Sequence, residues 1–210
     1  MVAKEEQEGA EVPAGIADTT AVAARWATFR HYGASPWEIE TLYDTLARSF
    51  DVDDAEVAAD DPQYVTMVDI SFPLPFGEPF FQEFTMDSWH KIKGVLKDMK
   101  RRRGKKGVKT YVKFAGFGNT AIPVVFPLLS RGDRQYEMGI EKIEYLVDIV
   151  PLQLKTAPAG AQEILFSYDE ATFKWSPGVA RVGNDAGANL IFKGNEWVEP
   201  APKKNSGPVV

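Results

Sequence analysis

The sequence predicts an α+β fold: an N-terminal helical hairpin, then a mainly antiparallel sheet with one inserted basic amphipathic helix. Three observations predict it. Apolar residues recur at helical spacing in two early segments, alternate with a period of two through most of the remainder, and return to helical spacing in residues 87–104.

The first helix is drawn from Val22, Trp26 and Phe29, with Thr20 as its cap and Gly33 where a helix stops. The second opens on Ser35-Pro36-Trp37-Glu38, a capping box with proline at the first helical position, and carries Ile39, Leu42, Tyr43, Leu46 and Phe50 on one face. Residues 51–61 hold six acids and no base, which reads as an exposed linker; its sharper reading is an acidic decoy folded back on a basic surface. Strands are expected at 64–72 and 80–84, joined by a proline-rich turn. A third helix runs from Asp87 to Gly104 with a core stripe of Trp89, Ile92, Leu96 and Met99. Strands at 108–114 and 121–129 pair around Gly116-Phe117-Gly118-Asn119, the second apolar on both faces and therefore central. Further strands are expected at 143–149, 162–167, 171–175, 189–193 and 196–198.

Residues 1–19 are rich in Glu, Ala and Gly and read as a disordered acidic tail rather than a signal peptide or anchor. A single α+β domain spans 20–199, and 200–210 form a flexible C-terminal tail. Hydrophobic residues make up 44% of the 210, enough for one sizeable core. No apolar run approaches the roughly 18 residues that a membrane-spanning helix needs. With no cysteine, disulfides, thiolate metal sites and thiol nucleophiles are excluded, and a reducing cytoplasm is the simplest location. His31 and His90 are the only imidazoles and have no metal-binding spacing, so no cofactor or metal is expected. His31 is read as a helix C-terminal cation, His90 as an ordinary helix-surface residue, and Trp26, Trp37, Trp175 and Trp197 as core anchors by default, with an interface as the alternative.

The charge distribution carries the functional reading. Residues 91–113 contain eleven bases and the single acid Asp98, whereas the rest of the chain holds 13 bases and 29 acids, so a net charge of −6 conceals a basic island. At 100° per residue, Lys93, Lys97, Lys100 and Arg101 fall on one flank beside the core stripe. Arg102, Arg103, Lys105 and Lys106 crowd a glycine-punctuated turn, and Lys109, Tyr111 and Lys113 share one face of the following strand. Such a rail suits a polyanion, and Tyr111, with Trp89 and Phe117 as further candidates, would stack on bases. The expected function is non-enzymatic binding of single-stranded DNA or RNA with low sequence preference, since no zinc finger, basic zipper or reading helix is present. Two readings stand beside it. One is a solvated helix end; the other is a structural or assembly protein, viral in one version, whose basic segment meets an acidic protein surface, with a homo-oligomer as one outcome.

Two motifs are set aside. Gly116-Phe117-Gly118-Asn119-Thr120-Ala121 matches a dinucleotide fingerprint, but Pro123 and an apolar run follow where that motif needs a helix. Arg131-Gly132-Asp133 is read as a polar turn. No carboxylate pair, phosphate loop or nucleophile elbow is apparent, so no enzyme is expected.

Overall fold

The structure, a computed structural model, describes residues 25–183 and 189–200. The expected N-terminal tail, the expected C-terminal tail beyond Pro200, and Thr20 and Val22 of the expected first helix lie outside these residues. In chain order the elements are β1 (Trp26–Tyr32), α1 (Pro36–Leu46), β2 (Asp51–Glu56), β3 (Thr66–Phe76), α2 (Glu78–Glu83), α3 (Met86–Arg103) and β4 (Val108–Phe117). There follow β5 (Val124–Leu128), α4 (Asp133–Lys142), α5 (Ile149–Gln153), β6 (Ala161–Asp169), β7 (Lys174–Val182), β8 (Asn189–Lys193) and β9 (Glu196–Val198).

The N-terminal helical hairpin is not formed. Its first half is the strand β1, because Ala27, Phe29 and His31 alternate with Thr28 and Arg30: the first set is buried and the second only half-buried. Trp26 and Phe29 satisfy helical spacing by coincidence; the period of two decides. His31 therefore caps no helix. It lies buried on β1 with its Nε2 3.2 Å from Asp54 Oδ1. α1 forms as expected, Ser35 N–H donating to Glu38 Oε2 at 2.7 Å. The acidic stretch is not a linker at its start, for Asp51–Glu56 pairs with β1 as the edge strand β2. Its row of carboxylates shields an edge that would otherwise template pairing with another chain.

The nine strands of the described residues form one mixed sheet in the order β2-β1-β3-β4-β5-β6-β7-β8-β9. It is not mainly antiparallel throughout: β1/β2, β3/β4 and β5/β6 are parallel pairs. Each needs a crossover, supplied in turn by α1, by α2 with α3, and by α4 with α5. More than one helix is therefore inserted. Residues 80–84, expected as a strand, lie largely in α2, since Phe80 and Phe84 at i, i+4 both face the core. Residues 143–149, also expected as a strand, are a short 3-10 turn leading into α5. The central strand, the pairing around Gly116 and the positions of β8 and β9 agree with expectation.

One face of the sheet carries α1, α3 and α4. Phe72, Phe80, Phe84, Trp89, Phe114 and Phe126 form its aromatic heart, with Phe72 and Phe114 stacked at 5.3 Å between centroids. The other face shows Arg30 from β1, Asp69 from β3, Tyr111 and Lys113 from β4 and Pro127 from β5 in adjacent register. No helix among the described residues is long and apolar enough to cross a membrane.

The glycine-rich motif is a close backbone crossing. A Cβ on Gly116 would stand 2.1 Å from the Thr120 carbonyl oxygen, whose chain turns back through Thr120 N–H to Phe117 O at 2.9 Å. Gly116→Ala must therefore push the β4–β5 turn open. The expected loss is about 3 kcal/mol, the upper end for an inserted methyl group, read as a shifted urea midpoint with unchanged slope.

Candidate nucleic-acid interface

α3 runs antiparallel to β3 and β4, so its C-terminus arrives beside the start of both strands and the end of β1. There it meets Gly33, Thr66 and the first turn of α1. The expected stripe, Trp89, Ile92, Leu96 and Met99, is wholly buried. Its neighbouring flank is not a solvent-facing rail. Lys93 is 2% exposed and donates to Glu141 Oε2 at 2.7 Å and Glu144 Oε2 at 2.5 Å. Lys97 pairs with Glu141. Lys100 is fully buried, with Nζ on the Arg131 carbonyl at 2.7 Å and 3.7 Å from Asp133; burial pulls its pKa down, and Asp133 opposes this only in part. Three of the bases expected to face phosphate thus form a seam between α3 and α4. Burial raises the pKa of Glu141, but Lys93 and Lys97 together hold it below the usual carboxylate range.

Trp89 and Phe117, offered as stacking residues, belong to the core at 0% and 5% exposure. The Trp89 indole N–H donates to Glu144 Oε2 at 2.6 Å. Lys109, Tyr111 and Lys113 do share the face of β4 turned away from α3, yet both lysines are paired. Lys109 meets Asp60 at 2.5 Å beside the Tyr32 ring, and Lys113 meets Asp69 at 2.7 Å beside Tyr111. Among the described residues the acidic stretch meets the basic segment at one pair, Asp60–Lys109, while its Asp53 pairs with Arg30 of β1.

Arg103 forks onto Glu38, with Nη1 to Oε1 at 2.8 Å and Nη2 to Oε2 at 2.6 Å, and also donates to Thr66 Oγ1 at 2.5 Å and the Gly33 carbonyl at 2.9 Å. Glu38 is buried, which raises its pKa, but Arg103 and the Ser35 backbone outweigh burial and hold it below the ordinary range. Arg103 thus anchors α3 to α1. Arg101 is exposed and pairs with Asp98, with Glu137 at 3.8 Å.

What remains outward is a smaller set. Arg102 is half-exposed and lies 5.2 Å over the ring of Trp37, itself 51% exposed. Lys105 and Lys106 are exposed and make no hydrogen bond or ion pair among the described residues. Arg102 and Lys106 line a cleft of about 510 Å³ with Arg103, Ser35 and Thr66. The one acid in its lining, Glu38, already carries Arg103. No protein family, curated protein or solved structure matches this chain.

Trp37 was not expected as a site residue. The signal was present: a tryptophan at the second position of a helix, where the following apolar face begins at Ile39, has no place on that face. A groove of about 540 Å³ lies elsewhere, on the helix-free face between β5 and β8, and is lined mainly by apolar residues such as Leu165, Val179 and Ile191. Among the described residues no group of acids or histidines is arranged to hold a metal ion.

Proposed function

We propose that this protein binds single-stranded DNA or RNA without catalysis and with low sequence preference, through the end of α3 and the start of α1. Arg102, Lys105 and Lys106 take the phosphates, with Arg101 as an outlying contact, and Trp37 stacks on a base. The observation that carries this reading is an exposed tryptophan beneath an arginine, at the edge of a cleft whose uncompensated charge is positive. Single-strand binders combine these two elements, since every base has a face to stack and every nucleotide a phosphate to neutralise. A cytoplasmic location accompanies the reading.

Trp37→Ala tests it. The substitution is at a half-exposed ring, so folding should be little affected, and the affinity for a labelled oligonucleotide should fall by about 1 to 3 kcal/mol. Unchanged anisotropy titrations would remove Trp37 from the site.

A second reading, assembly through an acidic protein surface, rests on the opposite charge at the two ends of α3. Asp87 lies exposed in its first turn, and the basic cluster lies at its last. Under this reading the protein self-associates at low salt without oligonucleotide and dissociates at high salt in sedimentation velocity.

A further inference from the structure

A third cavity, of about 410 Å³, lies far along the sheet from the cleft, between the 3-10 turn and α5 on one side and the β6–β7 turn on the other. Leu146 and Trp175 form its buried floor, and Tyr145 and Ile149 its walls, 72% and 42% exposed. With Leu152 at 60% exposure they make an outward apolar patch on a short helical segment. Volume and lining are those of small-molecule sites rather than of an ordinary surface.

Two further features of this cavity point to a ligand. Gln153 lines it, and its side-chain oxygen is buried without a hydrogen-bond donor among the described residues, an arrangement that a folded protein seldom leaves unmet. Phe173 also lines it and is held at φ +55°, a conformation that disfavours a bulky side chain and that persists where its surroundings enforce it. Here Lys142 donates to the Phe173 carbonyl at 2.7 Å, and Arg134 lies 5.4 Å over the ring, so the phenyl group is kept at the cavity in place of the glycine such a turn prefers. Lys174, at the same rim, makes no ion pair among the described residues. Asp169, opposite it in register, turns its carboxylate onto Thr172 and the Ala171 N–H.

We propose that this cavity binds a small amphipathic anion. Its apolar body lies between Tyr145, Ile149 and Phe173, a donor group meets the Gln153 oxygen, and its anionic head sits at Lys174. The charge of the rim selects an anion, and the unmet acceptor selects a ligand carrying an N–H or O–H.

Anilinonaphthalene sulfonate carries all three features and reports apolar burial by its fluorescence. With the full chain it should show a saturable, one-to-one enhancement that an indole carboxylate displaces. Ile149→Glu should weaken binding at least tenfold and Lys174→Glu at least fivefold, with far- and near-ultraviolet circular dichroism unchanged; Gln153→Leu should weaken it several-fold. The proposal is overturned by the lack of saturable enhancement, or by enhancement that persists in the folded Ile149→Glu variant. It is equally overturned by a salt-resistant dimer that Ile149→Glu dissociates, which would make the patch an interface between copies. The oligonucleotide affinity of these variants should match the wild type, so failure here leaves the α1–α3 reading untouched.

Discussion

Replacing Arg102, Lys105 and Lys106 together with alanine should abolish oligonucleotide binding at physiological salt while leaving the fold intact. These three bases are exposed, and none makes a hydrogen bond among the described residues; Arg102 lies over the Trp37 ring, and its ion pair with Glu38 at 3.7 Å duplicates a carboxylate that Arg103 already holds. Their removal thus takes away phosphate contacts and little else. Each contact on a single strand contributes about −0.7 to the slope of log K against log salt, so three contacts give a slope of about −2. The contrast with the neighbouring lysines is the informative part. Lys109→Ala and Lys113→Ala, which remove bases already neutralised by Asp60 and Asp69, should change affinity little. Lys93→Ala should act on stability rather than binding, because it leaves the largely buried Glu144 without its lysine and Glu141 with Lys97 alone between α3 and α4. Anisotropy titrations of the four variants, each checked by circular dichroism, separate these outcomes.

Glu38→Ala should destabilise the fold by about 3 kcal/mol, the lower end for breaking a buried ion pair because Arg103 keeps some solvent. Three connections fail at once: the bidentate pair to Arg103, the reciprocal bond to Ser35 N–H that starts α1, and through Arg103 the tie to Thr66 and Gly33. For a chain of this size that loss lowers Tm by about 6 to 12 °C. The effect depends on pH in a defined direction. The folded-state pKa of Glu38 is depressed, so its ionised form contributes stability that is fully present above the unfolded carboxylate value and is lost as pH falls through the folded one. The stability gap between wild type and Glu38→Ala should therefore be widest near neutrality and narrow on acidification below the ordinary glutamate range. Thermal melts across that range check it; a gap constant with pH would place the stabilisation in packing instead.

Local signals were legible where one residue pattern had one meaning. The capping box at Ser35, the stripe of α3 and the alternation of β3 and β4 translate directly into structure. The β1 segment was not, because Trp26 and Phe29 meet a helical template while Ala27, Phe29 and His31 meet a strand template, and only pairing with β2 and β3 decides. α4 was missed for a related reason. Residues 133–142 hold Tyr136 and Ile140 at i, i+4 and Glu137 and Glu141 beside them, a helix with one apolar and one acidic stripe. That acidic stripe, extended by Glu144, is the partner of Lys93 and Lys97. Counting bases along the chain located the basic island correctly, but the count had no means of showing that most of the island faces acids from distant sequence. The mixed sheet has the same origin: parallel pairing depends on crossover helices, and two of the three crossovers contain helices that the pattern of apolar residues disguised.

The central claim is that uncompensated bases at the end of α3 hold a phosphate backbone. A labelled oligothymidylate titrated by anisotropy at two salt concentrations fourfold apart tests it most directly. Three phosphate contacts predict an affinity about twentyfold weaker at the higher salt. No binding at the lower salt, or an affinity indifferent to salt, would contradict it.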